Sequence, residues 1–222
     1  MPKAQRKPEE IEAIREAILD HAIDLIAEAG YKGFSMRKLG TRLGIAAKTI
    51  YNYFHSKDEI YLSILTRGFE ALHAQCAATA AAHRDPMDKI EAMCRCFVDF
   101  GLAHANLYNL MFTWHVPKFR DYLGTDMEPA ARLEMETALS LSQLFIDALR
   151  ACGNGGKPMP EENARFLMIQ IWCQAHGYIA GINNTLLDYM HKNPIVLKDR
   201  LIAKLVESVQ AGVENNGRRV NR

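Results

Sequence analysis

From end to end the apolar residues of this chain recur at spacings of three and four. No stretch alternates β-branched and polar residues for the length a strand needs. Residues 9–29 set the pattern: Ile11, Ile14, Ile18, Ala22, Leu25 and Ala29 share one helical face, with Pro8 before them and Gly30 after. Ser35 is placed to cap a short helix, "MRKLGTRL", which Gly44 ends. A third helix is predicted from Ala47 to about Phe54. Ser56-Lys57-Asp58-Glu59 then reads as a capping box, in which Ser56 accepts from the Glu59 amide and the Glu59 carboxylate reaches back. It opens a long helix that turns Ile60, Ile64, Leu65, Phe69 and Leu72 inward. The fold class is all-α.

The remaining helices are predicted over 86–104, 105–114, 128–152, 160–190 and 195–214, with loops at "HVPKFRDYLGTDMEP", "CGNGGKPMP" and Asn193-Pro194. Three segments result: 1–56, a connecting helix 57–85, and 86–222. The 222 residues suffice for one or two domains with a proper core. Five cysteines without framework spacing suit a reduced, cytoplasmic protein, and "MPKAQRKPEE" has no apolar signal core. Cys94 and Cys96 are two apart on a helix, with no His at zinc-finger spacing, so no metal or cofactor is expected. Phe166 to Leu187 carries no Asp, Glu, Lys or Arg, yet it holds Gln170, Gln174, His176, Asn183 and Asn184. It reads as a helix covered by protein on most sides, not as a membrane span.

The net charge is only +1, but its distribution is uneven. Between Lys32 and Lys57 lie Arg37, Lys38, Arg42 and Lys48, with no acid at all. Such a run favours a polyanion. Two short helices joined at Gly44 and following a longer one make a helix-turn-helix unit, whose second short helix enters a major groove. Leu39, Leu43, Ile45 and Ile50 suit its small core, which leaves Ala47, Lys48, Thr49, Tyr51 and Asn52 facing outward.

The stretch "GFSMRKLGTRLGIAAKTIYNYFHSKDEIYLSIL" resembles the DNA-binding domain of the TetR family of bacterial transcriptional regulators. The resemblance implies a DNA-binding role for particular residues. Ser35 and Arg37 would meet a phosphate and a base edge or phosphate. Ala47, Lys48, Thr49 and Asn52 would present the recognition face, and Tyr51 and Tyr53 would offer hydroxyls to phosphates. Lys57 would grip a phosphate at the start of the fourth helix. Ala46 departs from the family's usual Ser or Thr and cannot cap, a local cost of about 1 kcal/mol.

The resemblance also implies a divergent C-terminal domain that binds a ligand and dimerises. "IWCQAHGYIAG" and "NLYNLMF" are similar to the subgroup named for its Trp, His and Gly. Candidate ligand-binding residues are Tyr108, Met111, Phe112, Trp114, Phe145, Phe166, Ile169, Gln170, Cys173 and His176. The expected partners are a double-stranded DNA operator, a mainly apolar small-molecule effector, and a second copy of the chain paired through the helices near 160–190 and 195–214. Gly177 and Gly181, four apart, would let another helix approach closely. The function this implies is a homodimeric repressor released by its effector. Two other classes remain: an all-helical enzyme using Cys173 and His176, which are i and i+3 on one face, and a helical interaction module. The enzyme lacks a third orienting group, and the module leaves the acid-free run unexplained.

Overall fold

The computed structural model describes residues 7–153 and 157–220, with side chains as far as Glu214. Among these residues the chain forms α-helices and short 3-10 turns, and no strand. The helices are α1 (Pro8–Gly33), α2 (Met36–Leu43), α3 (Ala47–Ile50), α4 (Lys57–Ala81), α5 (Pro86–Ala103), α6 (Ala105–Phe112), α7 (Glu128–Ala151), α8 (Glu161–Asn183) and α9 (Lys198–Val220). The middle of the loop predicted at "CGNGGKPMP" lies outside the described residues. No helix among those described is long and apolar enough to cross a membrane.

The chain divides into two compact units. One runs up to Gly68 and also takes in Leu110–Met135; the other joins Phe69–Asn109 to the chain from Glu136 onward. In the first unit Gly30 breaks α1 with φ 68°, so only three residues follow the kink. Ser35 caps α2, its Oγ accepting from the Lys38 amide at 3.3 Å. Gly44 ends α2 in the left-handed region at φ 67°. The third helix is shorter than its periodicity predicts. It stops at Ile50, and Tyr51 to Tyr53 continue as turns that deliver Phe54 to the core. Ala46 makes no side-chain cap.

Ile18, Ile26, Phe34, Leu39, Ile50, Phe54, Ile60 and Ile64 are buried together in this unit. Leu43 and Ile45 remain partly exposed. The expected capping box is half formed: Ser56 Oγ accepts from the Glu59 amide at 3.0 Å, but the Glu59 carboxylate reaches one residue further, to the His55 amide. Charged contacts tie α1 to its neighbours. Arg67 on α4 bonds Glu16 and Asp20, and Arg15 lies over the Phe54 ring while donating to the Tyr53 carbonyl.

In the second unit α5 packs on α8 and α9. The close approach of α5 to α8 depends on Gly101, where a Cβ would lie 2.7 Å from Ile179 Cγ2. Asn183 Nδ2 donates to the Gly101 carbonyl at 2.9 Å beside this contact. α8 ends at Asn183, seven residues before its predicted limit. The Asn184 side chain folds back onto the Ala180 carbonyl at 2.8 Å, and Thr185 takes φ 58°, so the helix cannot continue. α9 begins at Lys198, after a 3-10 turn over Pro194–Leu197.

Candidate functional site

The acid-free run folds into α2, the turn and α3. Arg42 is neutralised by Glu28 of α1 through two bonds of 2.6 and 2.8 Å. Within this run it is Arg42 that pairs with the first helix. Arg37 and Lys48 are exposed, with no ion-pair partner among the described residues. The Lys38 ammonium donates to the Gly33 carbonyl at 2.8 Å, which positions the charge without cancelling it. Ser35 Oγ accepts from the Lys38 amide, so its own proton is free to meet a phosphate.

Tyr51 is 50% exposed and Asn52 is exposed, while Ala47, Thr49 and Tyr53 are half-buried. Lys57 sits at the start of α4 with Nζ 4.5 Å from the Tyr31 ring centroid. A cation held over a ring gains about 0.5–1 kcal/mol when exposed, enough to orient the ammonium and too little to satisfy it. A short helix with an uncompensated cation and exposed polar side chains can enter a groove, while cations and hydroxyls beside it hold the backbone.

Sequence reasoning missed what supports this surface. The Asp58 carboxylate accepts from the hydroxyls of Tyr31 and, at 3.2 Å, Tyr122. Burial, with Asp58 beside the hydroxyl, pushes the Tyr31 phenol well up from its ordinary value, so it remains a donor. The Tyr61 hydroxyl donates to the Pro117 carbonyl at 3.0 Å, and Ser56 Oγ bonds Met127 Sδ at 3.6 Å. Residues 117–127, read from sequence as a loop, therefore buttress the first turn of α4. Their only local signal was a pair of aromatics, Phe119 and Tyr122, among polar residues.

The candidate ligand residues separate. Met111 is buried and Phe112 and Trp114 half-buried in the first unit. In the second unit Phe145 and Tyr108 are buried, and Phe97 of α5 lies edge-on to both, at 6.4 and 6.0 Å between centroids. The Tyr108 hydroxyl is 3.0 Å from His176 Nδ1, and Trp172 stacks on His176 at 4.8 Å and 5°. Desolvation lowers the His176 pKa, which favours its neutral ring. Phe97 was not among the sequence candidates, although it shares a helical face with Ile90 and Met93.

Gln170 is half-buried, whereas Phe166 at 61%, Ile169 at 53% and Cys173 lie on the exposed face of α8 instead of in the interior. The two glycines also part company. Gly181 is buried, its added Cβ 2.7 Å from Leu187 Cγ, while a Cβ at Gly177 would meet nothing within 4 Å. Among the described residues no three His, Cys, Asp or Glu side chains gather as a metal site.

A buttressed helix-turn-helix with a basic, acid-free outer face defines a DNA-binding protein. Residues 18–64 match the family model described as bacterial regulatory proteins, tetR family, and residues 90–205 match a tetracyclin repressor-like C-terminal domain. The chain is 32% identical over 158 residues to the HTH-type transcriptional repressor KstR of Mycobacterium tuberculosis, covering 71% of this chain and 67% of that one. It superposes on the transcriptional regulator FadR from Bacillus subtilis in complex with stearoyl-CoA with a TM-score of 0.65 and 16% identity, over 87% of this chain and 97% of that one. It also superposes on AibR in complex with isovaleryl coenzyme A and operator DNA, with a TM-score of 0.62 and 14% identity over 86% and 95%. The chain belongs to the TetR family of bacterial regulatory proteins. It is a transcriptional regulator and not an enzyme, so Cys173 and His176 are not a nucleophile and its base.

Proposed function

We propose that the protein is a homodimeric repressor that reads its operator through α2 and α3 and leaves it on binding an acyl thioester of coenzyme A. The reading segment is 1–56, α4 connects it onward, and 86–222 binds the effector and dimerises. The observation that carries the DNA-binding part is the exposed Arg37 and Lys48 beside an Arg42 already neutralised by Glu28. Ser35, Tyr51, Tyr53 and Lys57 then hold phosphates, while Ala47, Thr49 and Asn52 face base edges. Repression follows the sign of KstR. An acyl-coenzyme A effector is supported by the ligands of the two solved relatives and by the aromatic row Phe145, Phe97, Tyr108, His176, Trp172, which suits an apolar chain met by one polar group.

The test is retention of duplex fragments selected from genomic DNA. The protein is expected to hold them with steep salt dependence and to release them to stearoyl-CoA, but not to coenzyme A alone. Lys57→Ala should weaken every fragment and lower the salt slope by about one. Lys48→Ala should change base preference at one position per half-site by about 1–3 kcal/mol. An unchanged site profile would move Lys48 to phosphate or solvent. Release must come from tighter effector binding to the operator-incompetent state, since equal affinity for both states shifts nothing.

The dimer is supported by the open stripe Phe166, Ile169, Trp172 and Gly177 along α8, whose large apolar side chains are exposed. Large exposed apolar patches of this kind mark interaction surfaces. Gly177→Leu is expected to leave the folded subunit intact and shift sedimentation toward monomer. Gly181→Leu should instead destabilise the subunit by about 1–3 kcal/mol through overpacking against Leu187. A Gly177→Leu protein that remains fully dimeric removes this face from the interface.

A further inference from the structure

Lys57 and Asp58 are consecutive at the start of α4, so their side chains leave the helix in different directions. One residue of α1 meets both. The Lys57 ammonium lies over the Tyr31 ring, 4.5 Å from its centroid, and the Tyr31 hydroxyl donates to Asp58 Oδ1. Tyr31 follows directly on Gly30, whose φ of 68° breaks α1, so the chain turns just before it places this ring. The ring is fixed from a further side. It stands edge-on to Tyr61 at 5.0 Å between centroids and 64°, and the Tyr61 hydroxyl is itself tied to the Pro117 carbonyl at 3.0 Å. Buried Tyr122 donates to the same Asp58 oxygen at 3.2 Å. Two hydroxyls thus hold the carboxylate, the carboxylate holds Tyr31, and the Tyr31 ring holds an ammonium. Among the described residues neither Lys57 nor Asp58 forms an ion pair.

Resting on the reading of Lys57 as a phosphate contact, we propose that Tyr31, Asp58 and Tyr122 are positioning residues for operator binding, which act by aiming the Lys57 ammonium at a backbone phosphate. A lysine ammonium rides on a flexible four-carbon stem, and gripping a phosphate costs it rotamer freedom. A side chain already held in its bound position loses less on binding. A ring face suits this task better than a carboxylate would. Its attraction is weak beside that of a full charge, so the ammonium keeps its charge and its donors for the phosphate. Asp58 would cancel that charge if it paired with Lys57. Bound by two hydroxyls, it serves instead as the anchor of Tyr31. Tyr122 ends a 3-10 turn, Phe119–Tyr122, outside the helix-turn-helix, so its part in DNA binding is carried entirely by this relay.

The test uses the full-length protein and a duplex fragment that it selects from genomic DNA, with affinity measured across a salt series. Tyr31→Leu removes the ring and should weaken binding about two- to fivefold, the worth of an exposed cation held on a ring. The salt slope should not change, because Lys57 still neutralises its phosphate once bound. In the Lys57→Ala background, where the slope is already lower by about one, the same substitution should cost nothing. Tyr122→Phe deletes a single hydroxyl and should weaken binding by the wild-type protein, again with no loss in Lys57→Ala. It carries the test if Tyr31→Leu does not fold. A purely structural Tyr31 or Tyr122 would lower affinity equally in both backgrounds, and that result overturns the proposal. So does full affinity in both Tyr31→Leu and Tyr122→Phe. Unchanged affinity and slope in Lys57→Ala itself would instead remove Lys57 from the phosphate, and the proposal would fall with that reading.

Discussion

Gly40→Val is expected to abolish operator binding and to destabilise the protein by about 3 kcal/mol, the upper end of what overpacking commonly costs. Gly40 is buried inside α2, where a glycine ordinarily forgoes about 1 kcal/mol of helix propensity relative to alanine. Its retention has a steric cause. A Cβ there would stand 2.8 Å from the Ile45 carbonyl oxygen and 3.0 Å from the Ala47 amide nitrogen. Both are backbone atoms of the turn and of the first residue of α3, so they cannot rotate away as a side-chain tip could. The same carbonyl–amide register holds the turn, since the Ile45 amide donates to the Gly40 carbonyl at 2.9 Å. Relief therefore has to move α3, and with it Lys48, Thr49 and Asn52. Gly44→Ala is the control. It meets nothing within 4 Å and is strained only by φ 67°, a cost of about 1–2 kcal/mol that leaves the groove face in place. Equal operator affinities for the two variants in a retention assay would show that α2 and α3 are not pinned through Gly40.

Gly101→Val should lower the melting temperature by about 6–12 °C, from about 3 kcal/mol of overpacking in a protein of this size. The added carbons would press on Ile179 Cγ2 at 2.7 Å, Ile179 Cδ1 at 2.9 Å and Tyr108 Cδ2 at 2.9 Å. Ile179 and Tyr108 are themselves fully enclosed, so neither has free space to enter. The check is a double-mutant cycle with Ile179→Ala. Trimming Ile179 alone should cost about 2–5 kcal/mol, yet in the Gly101→Val background it should cost much less, because it also removes the clash. Additive losses in calorimetry would contradict the close contact of α5 with α8.

The reading unit was largely legible because its signals are local. A Ser before an apolar-periodic run, a Gly in the left-handed region after it, and apolar residues at Leu39, Ile50 and Phe54 each act within a few residues. The signal in Gly40 was hidden, since a glycine within a helix reads as a weak helix former unless its neighbour across the turn is known. α8 shows the limit of periodicity. A helix apolar all round carries no sign of which side is enclosed, so Phe166 and Ile169 could not be told from Leu167 and Ile171 by spacing. The early end of α8 at Asn183 depended on which group the Asn184 side chain would choose. The pairing of Asp58 with Tyr122 lies beyond any local reading, because 64 residues separate them.

That separation bears on biosynthesis. The first compact unit draws on residues up to Gly68 and again on Leu110–Met135. When a ribosome has released only the first stretch, Asp58 and Tyr31 are present but Tyr122 is not, and Tyr61 has no Pro117 carbonyl to meet. At about 5–20 residues per second, translation needs on the order of 3–13 s more to supply the missing segment. During that interval the nascent helix-turn-helix stands without its buttress. Its maturation is therefore timed by a downstream part of the message, and a slow codon run between the two stretches would lengthen the exposure of an incomplete DNA-binding head.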